Sequence, residues 1–82
     1  MAPLLSRTVG AWVAESEVAE LLQRTEKAHP GCQIGSYPFF REGRTGANFV
    51  VRGTDPAIVD ACVATLTAGL VAAGHEVTDG GI

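Results

Sequence analysis

Four side chains near the middle of the chain have the types and spacing to hold a ligand. They are Ser36 and Tyr37 in the tetrapeptide Gly35-Ser36-Tyr37-Pro38, and Arg41 and Arg44 in the polar run Arg41-Glu42-Gly43-Arg44-Thr45-Gly46. Two guanidiniums three residues apart can meet an anion through charge-assisted hydrogen bonds, and an adjoining phenol can extend that contact. Each feature also has a plain structural use. A glycine admits a close neighbour, a tyrosine ring anchors a sheet end, and a proline stops strand pairing. Two arginines around a glutamate suit a solvated hairpin tip. These four residues form the candidate ligand-binding set, and no residue is assigned a catalytic role.

Covalent and metal chemistry find less support. Nucleophilic catalysis needs Ser or Cys held against a base, and Ser36 has none in view. The two histidines, His29 and His75, each fall at a helix end, where solvation or capping accounts for them. Neither C-x-x-C nor H-x-x-x-H occurs, so no metal site is expected. The glycine-containing run lies between strands instead of ahead of a helix, which rules out a phosphate cradle of the Walker or dinucleotide type. No cofactor is expected in this chain. Cys32 and Cys62 sit in apolar segments and read as small buried hydrophobes, free of a disulfide.

Eighty-two residues support one small domain spanning 1–82. With 46% hydrophobic residues the chain is more apolar than so small a domain needs, which points to apolar surface facing a partner. The net charge of -3 and six scattered Lys and Arg residues argue against nucleic acid or an anionic membrane, because neutralising phosphates takes clustered base. No run approaches the roughly 20 apolar residues that span a bilayer. Met1 to Ser6 lacks the charged start of a secretion signal, so the expected location is the cytoplasm.

The elements that must position these residues follow from periodicity. Leu5, Val9, Ala11 and Val13 share one parity and Ser6, Thr8 and Trp12 the other, which predicts a strand with one wet face, Arg7 interrupting its apolar side. Glu15-Ser16-Glu17 then opens a helix with acidic and capping residues, and its face of Val18, Leu21, Leu22, Thr25 and Ala28 recurs every three or four residues. Glu20 and Arg24 form an i,i+4 pair, and Pro30-Gly31 stops the helix. A strand over Cys32 to Tyr37 ends at Pro38, a loop spans Phe39 to Gly46, and a second strand covers Ala47 to Arg52. Asp55 caps a long helix that starts at Pro56, buries Ile58, Val59, Cys62, Val63, Leu66 and Leu70, and stops at Gly74. His75 to Thr78 is a short edge strand, and Asp79-Gly80-Gly81 frays. The order strand, helix, strand, strand, helix, strand predicts an α+β, ferredoxin-like βαββαβ sandwich, a four-stranded antiparallel sheet with two helices on one face. The other face, with Trp12 and Val50, is left for a parent protein or a second copy, which could also pack along an edge strand.

The run His29-Pro30, Ile34-Gly35-Ser36-Tyr37-Pro38, the basic glycine-containing loop, Asn48-Phe49-Val50-Val51-Arg52 and Thr54-Asp55-Pro56 resembles a known family. It is similar to the C-terminal subdomain of competence/damage-inducible protein A-like, molybdopterin-binding-domain proteins. Ser6-Arg7-Thr8-Val9 followed by Glu15-Ser16-Glu17 extends the likeness over nearly the whole chain. The resemblance implies a preceding larger α/β domain of molybdopterin-binding type, and a parent that in some relatives is a metal-dependent pyrophosphatase acting on ADP-ribose or FAD. That larger domain and the nicotinamide-mononucleotide deamidase domain of some members lie outside this chain, so no catalytic residue carries over. Met1 directly before a family-internal strand suggests a domain excised from such a parent. The expected function is therefore a non-catalytic accessory or interaction domain whose partner is the larger domain of the parent. One alternative is that Arg41, Arg44 or Tyr37 completes a nucleotide or cofactor site of the parent. Another is a free-standing small-ligand-binding module.

Overall fold

A computed structural model describes residues 3–82; Met1, read above as preceding the first strand directly, lies outside them. The elements are β1 (Leu5–Ala11), α1 (Glu15–Ala28), β2 (Cys32–Arg41), β3 (Arg44–Gly53), α2 (Pro56–Ala72) and β4 (Val77–Asp79). They form one sheet in the order β2-β3-β1-β4, every neighbouring pair antiparallel. Because β3 lies between β1 and β2, the β1-α1-β2 crossover is a split βαβ, and the fold is the ferredoxin-like α+β sandwich expected from the element order.

Register decides which face each residue serves. Val9 pairs with Phe49, Arg7 with Val51 and Ala11 with Ala47, so the parity holding Val9, Ala11, Ala47, Phe49 and Val51 turns to the helices and is buried. The other parity carries Thr8, Gly10, Asn48 and Val50 on the central strands, and Tyr37 and Phe39 on β2; no described helix covers it. Val59, Cys62, Leu66 and Leu70 of α2 and Val18 of α1 complete the core. Thr25 is the one polar residue fully buried among the described residues, and its hydroxyl donates to the Leu21 carbonyl at 2.7 Å within its own helix.

The caps of α2 match their residue types. A carboxylate oxygen of Asp55 accepts the Ala57 N–H at 2.9 Å, and Pro56 opens the first turn. At the other end Gly74 N–H donates to Val71 and His75 N–H to Leu70, the two reciprocal bonds of a Schellman stop. The start of α1 differs from expectation. Its N-cap is Ala14 with no side-chain bond, because Ser16 falls inside the helix, and Glu20 and Arg24 form no ion pair. No described helix is long and apolar enough to cross a membrane.

Three local readings are corrected. Pro38 does not end β2, which runs on to Arg41 with Pro38 opposite Ala47. β2 is an edge strand, and Ile34 directs its N–H outward, away from β3, to Glu26; Pro38 has the same orientation four residues on, so its missing N–H costs no ladder bond. The expected loop from Phe39 to Gly46 shrinks to the two-residue turn Glu42-Gly43, whose φ values of 53° and 73° define a type I′ hairpin. Arg41 and Arg44 are therefore paired strand ends. Finally, Asp79-Gly80-Gly81 does not fray: Asp79 belongs to β4, and Gly80 N–H donates to the Thr8 carbonyl at 2.9 Å.

Candidate functional site

The uncovered sheet face holds a contiguous row of aromatic rings and guanidiniums at the hairpin end. Trp12, just beyond β1, meets Phe39 of β2 edge-to-face, with ring centroids 5.2 Å apart and planes at 80°. The Arg41 guanidinium lies 4.4 Å above the Phe39 centroid, and that of Arg44 lies 4.3 Å above Trp12. The hairpin register builds this row. Arg41 pairs with Arg44 and Phe39 with Gly46, all on one parity, and the Phe39 ring rests over Gly46, where any Cβ would clash with it.

A second arginine–aromatic contact lies further along the same face. Arg52 donates to the Tyr37 hydroxyl at 3.1 Å, and the Tyr37 ring folds back over Gly35, whose Cβ would stand only 3.1 Å from it. Three of the chain's six Lys and Arg residues thus gather on one face of an acidic domain. The ion pairs among the described residues belong to Arg7, which reaches Asp60 at 2.8 Å and Asp79 at 3.5 Å on the helix side. Its hydrogen bond to Asp60 raises the guanidinium further above its ordinary value. Neither Arg41 nor Arg44 has a carboxylate partner among the described residues. Each guanidinium sits over a π-face, which leaves its outward N–H donors for another group.

Of the four sequence candidates, the structure brings Arg41, Arg44 and Tyr37 to one face and sends Ser36 to the other. Ser36 pairs with Phe49 on the helix-side parity, and its hydroxyl oxygen is buried with no hydrogen-bond partner. Sequence reading missed Phe39 and the contacts of Trp12 with Phe39 and Arg44. Their signal was present in the i,i+2 spacing of Phe39 and Arg41, legible once the strand is known to continue through Pro38. No group of three or more His, Cys, Asp or Glu side chains among the described residues is placed to hold a metal.

The Gly-Ser-Tyr-Pro tetrapeptide, taken above as a family marker, has a local physical explanation. Gly35 makes room for the Tyr37 ring, Tyr37 ties to Arg52, and Pro38 sits where an edge strand tolerates it. No curated protein and no solved structure matches the chain. A family model does match, over residues 3–77, and its description is FAD synthase, middle domain. This finding overturns the resemblance to competence/damage-inducible protein A-like, molybdopterin-binding-domain proteins, and with it the reading of the parent as a metal-dependent ADP-ribose or FAD pyrophosphatase. With the first five elements inside the matched residues and β4 entered at Val77, the chain belongs to the FAD synthase middle-domain family.

Proposed function

We propose that the chain is a non-catalytic accessory domain working beside a larger domain of an FAD synthase, and that its open sheet face receives anionic groups of a nucleotide. The observation that carries this reading is the pair Arg41 and Arg44, each stacked on an aromatic ring and neither neutralised by a carboxylate among the described residues. Contact with a ring already restrains each guanidinium, so less side-chain freedom is lost when an anion binds. FAD carries a pyrophosphate, the kind of group that such a pair recognises through charge-assisted hydrogen bonds. Tyr37 holds Arg52 on the same face, where the Arg52 guanidinium adds to the positive field. Ser36 has no part in this, since its side chain lies on the opposite face.

Trp12 is the only tryptophan, so its fluorescence reports on this row directly. Titration with inorganic pyrophosphate should change Trp12 emission saturably, and Arg41→Ala or Arg44→Ala should each weaken binding about tenfold, the value of one charge-assisted contact. Unchanged affinity in the double variant Arg41→Ala/Arg44→Ala would remove the reading.

A further inference from the structure

The open face is not bare along its whole length. After β4 the chain turns back onto it: Gly80 N–H donates to the Thr8 carbonyl, and the Asn48 carboxamide closes on Ile82 from both sides. Asn48 Nδ2 donates to the Ile82 carbonyl at 3.0 Å, and Oδ1 accepts the Ile82 N–H at 2.8 Å. The strip beneath is shaped for this contact. A Cβ on Gly10 would stand 2.8 Å from Ile82 and from Asn48, and one on Gly81 would stand 2.9 Å from Thr8. The strap depends on two consecutive left-handed residues, Gly80 at φ 89° and Gly81 at φ 97°, and these hydrogen bonds keep it outside the core.

We propose that Gly80–Ile82 is a strap over a second subsite, and that Asn48 reads the base of a nucleotide there once the strap lifts. This rests on the anion site proposed above and extends it from phosphate to a whole ligand. A carboxamide that presents one donor and one acceptor side by side is the group that pairs bidentately with adenine, whose edge offers the complementary pattern. In the strapped state the N–H and C=O of Ile82 meet that same pair. Asn48 and Arg44 lie on one parity of β3, four residues and about 13 Å apart. That distance matches an extended nucleoside diphosphate, measured from base edge to terminal phosphate. Between them lies Gly46 with the Phe39 ring across it, an apolar floor free of competing charge. The base and the strap compete for the same two atoms of Asn48. Strap opening therefore lowers the apparent affinity for a nucleotide and leaves that for free pyrophosphate untouched.

The test compares ADP with inorganic pyrophosphate by Trp12 fluorescence, with the amide signals of Gly80 and Ile82 followed by NMR. Gly81→Ala forces a left-handed backbone on a residue with a Cβ and displaces the strap without altering Thr8, Gly10 or Asn48. It should tighten ADP about fivefold while pyrophosphate affinity stays constant. Adding Asn48→Ala should cancel that gain. In the parent sequence ADP, but not pyrophosphate, should move the Gly80 and Ile82 amides. If Gly81→Ala leaves ADP affinity unchanged, or tightens both ligands alike, the strap does not compete with a base and the proposal fails. Pyrophosphate binding with ADP indifferent to the strap overturns this proposal alone; absence of any pyrophosphate binding overturns the anion site together with it.

Discussion

A carboxylate oxygen of Glu26, on α1, accepts the backbone N–H of Ile34 at 3.0 Å and so occupies the outer edge of β2. Further along that edge Pro38 offers no N–H, and at its start Cys32 N–H is taken by the His29 carbonyl. An otherwise long, flat edge strand is thereby denied as a template for another chain. Glu26→Ala should expose it and make sedimentation concentration-dependent, with a stability loss near 1 kcal/mol. A second copy packing through the open face would instead associate in the unaltered chain and be weakened by Trp12→Ala. A monomer in both experiments would leave neither surface a role in self-association.

The Glu42-Gly43 turn places a non-glycine residue at φ 53°. Left-handed backbone costs an ordinary residue about 1 kcal/mol, less for Asn and almost nothing for Gly. Glu42→Gly should therefore raise the melting temperature despite the added freedom of the unfolded chain, and Glu42→Asn should do so by roughly 0.5–1 kcal/mol of stability. Thermal melts at one protein concentration decide it. Lower melting temperatures in both variants would show that the turn is held by something other than its backbone type.

Asp55 is the only side-chain cap on either helix start. Asp55→Ala should cost about 1 kcal/mol, which in a domain of this size shifts the midpoint of melting by roughly 4–8 °C. Asp55→Ser, which can still accept from Ala57, should recover most of that loss.

Cys62 is fully buried, and its thiol is pushed up to about 11, by burial first and by the neighbouring Cys32 second. The unfolded chain loses that proton near the ordinary thiol range of about 8.5, so the folded state holds the proton longer. Stability from this group is complete below the unfolded value and declines as pH rises through the folded one, by roughly 3 kcal/mol in all. Denaturant unfolding of the parent sequence should therefore weaken more steeply between about pH 9 and 11 than that of Cys62→Ala. Equal slopes would mean that Cys62 loses its proton over the same pH range folded and unfolded.

The element order was legible because α1 carries an apolar stripe, α2 is a long apolar run opened by Asp55-Pro56 and closed by Gly74, and the inward parity of β1 and β3 is largely apolar. Val9, Ala11, Phe49 and Val51 all fall where parity puts them, as do Val59, Cys62, Leu66 and Leu70. The hairpin was not. Pro38 reads as a stop unless its strand is known to be an edge, and edge position depends on tertiary order. Glu-Gly is a weak type I′ signal, since the usual turn pairs put Asn, Asp or Gly where Glu42 stands. Those two errors hid Phe39 from the site and made a loop of two paired strand ends. Ser36 failed for a simpler reason: one residue of register separates it from Tyr37 and turns it to the other side of the sheet. The path of Gly80–Ile82 had no sequence signature beyond two glycines, because its anchor, Asn48, lies thirty-four residues away.

β1 and β4 are the first and last of the described elements, yet they lie side by side, Val9 opposite Asp79 and Thr8 bonded to Gly80. The chain enters β1 at Leu5, opposite Gly53, and leaves β4 beside Thr8 before folding back to Gly10, so Leu5 and Ile82 are separated by about 17 Å, the length of five strand residues. A linker spanning that distance across the open face would permit a circular permutation reopened between Glu42 and Gly43, which keeps every strand pairing and moves the new termini beside Arg41 and Arg44.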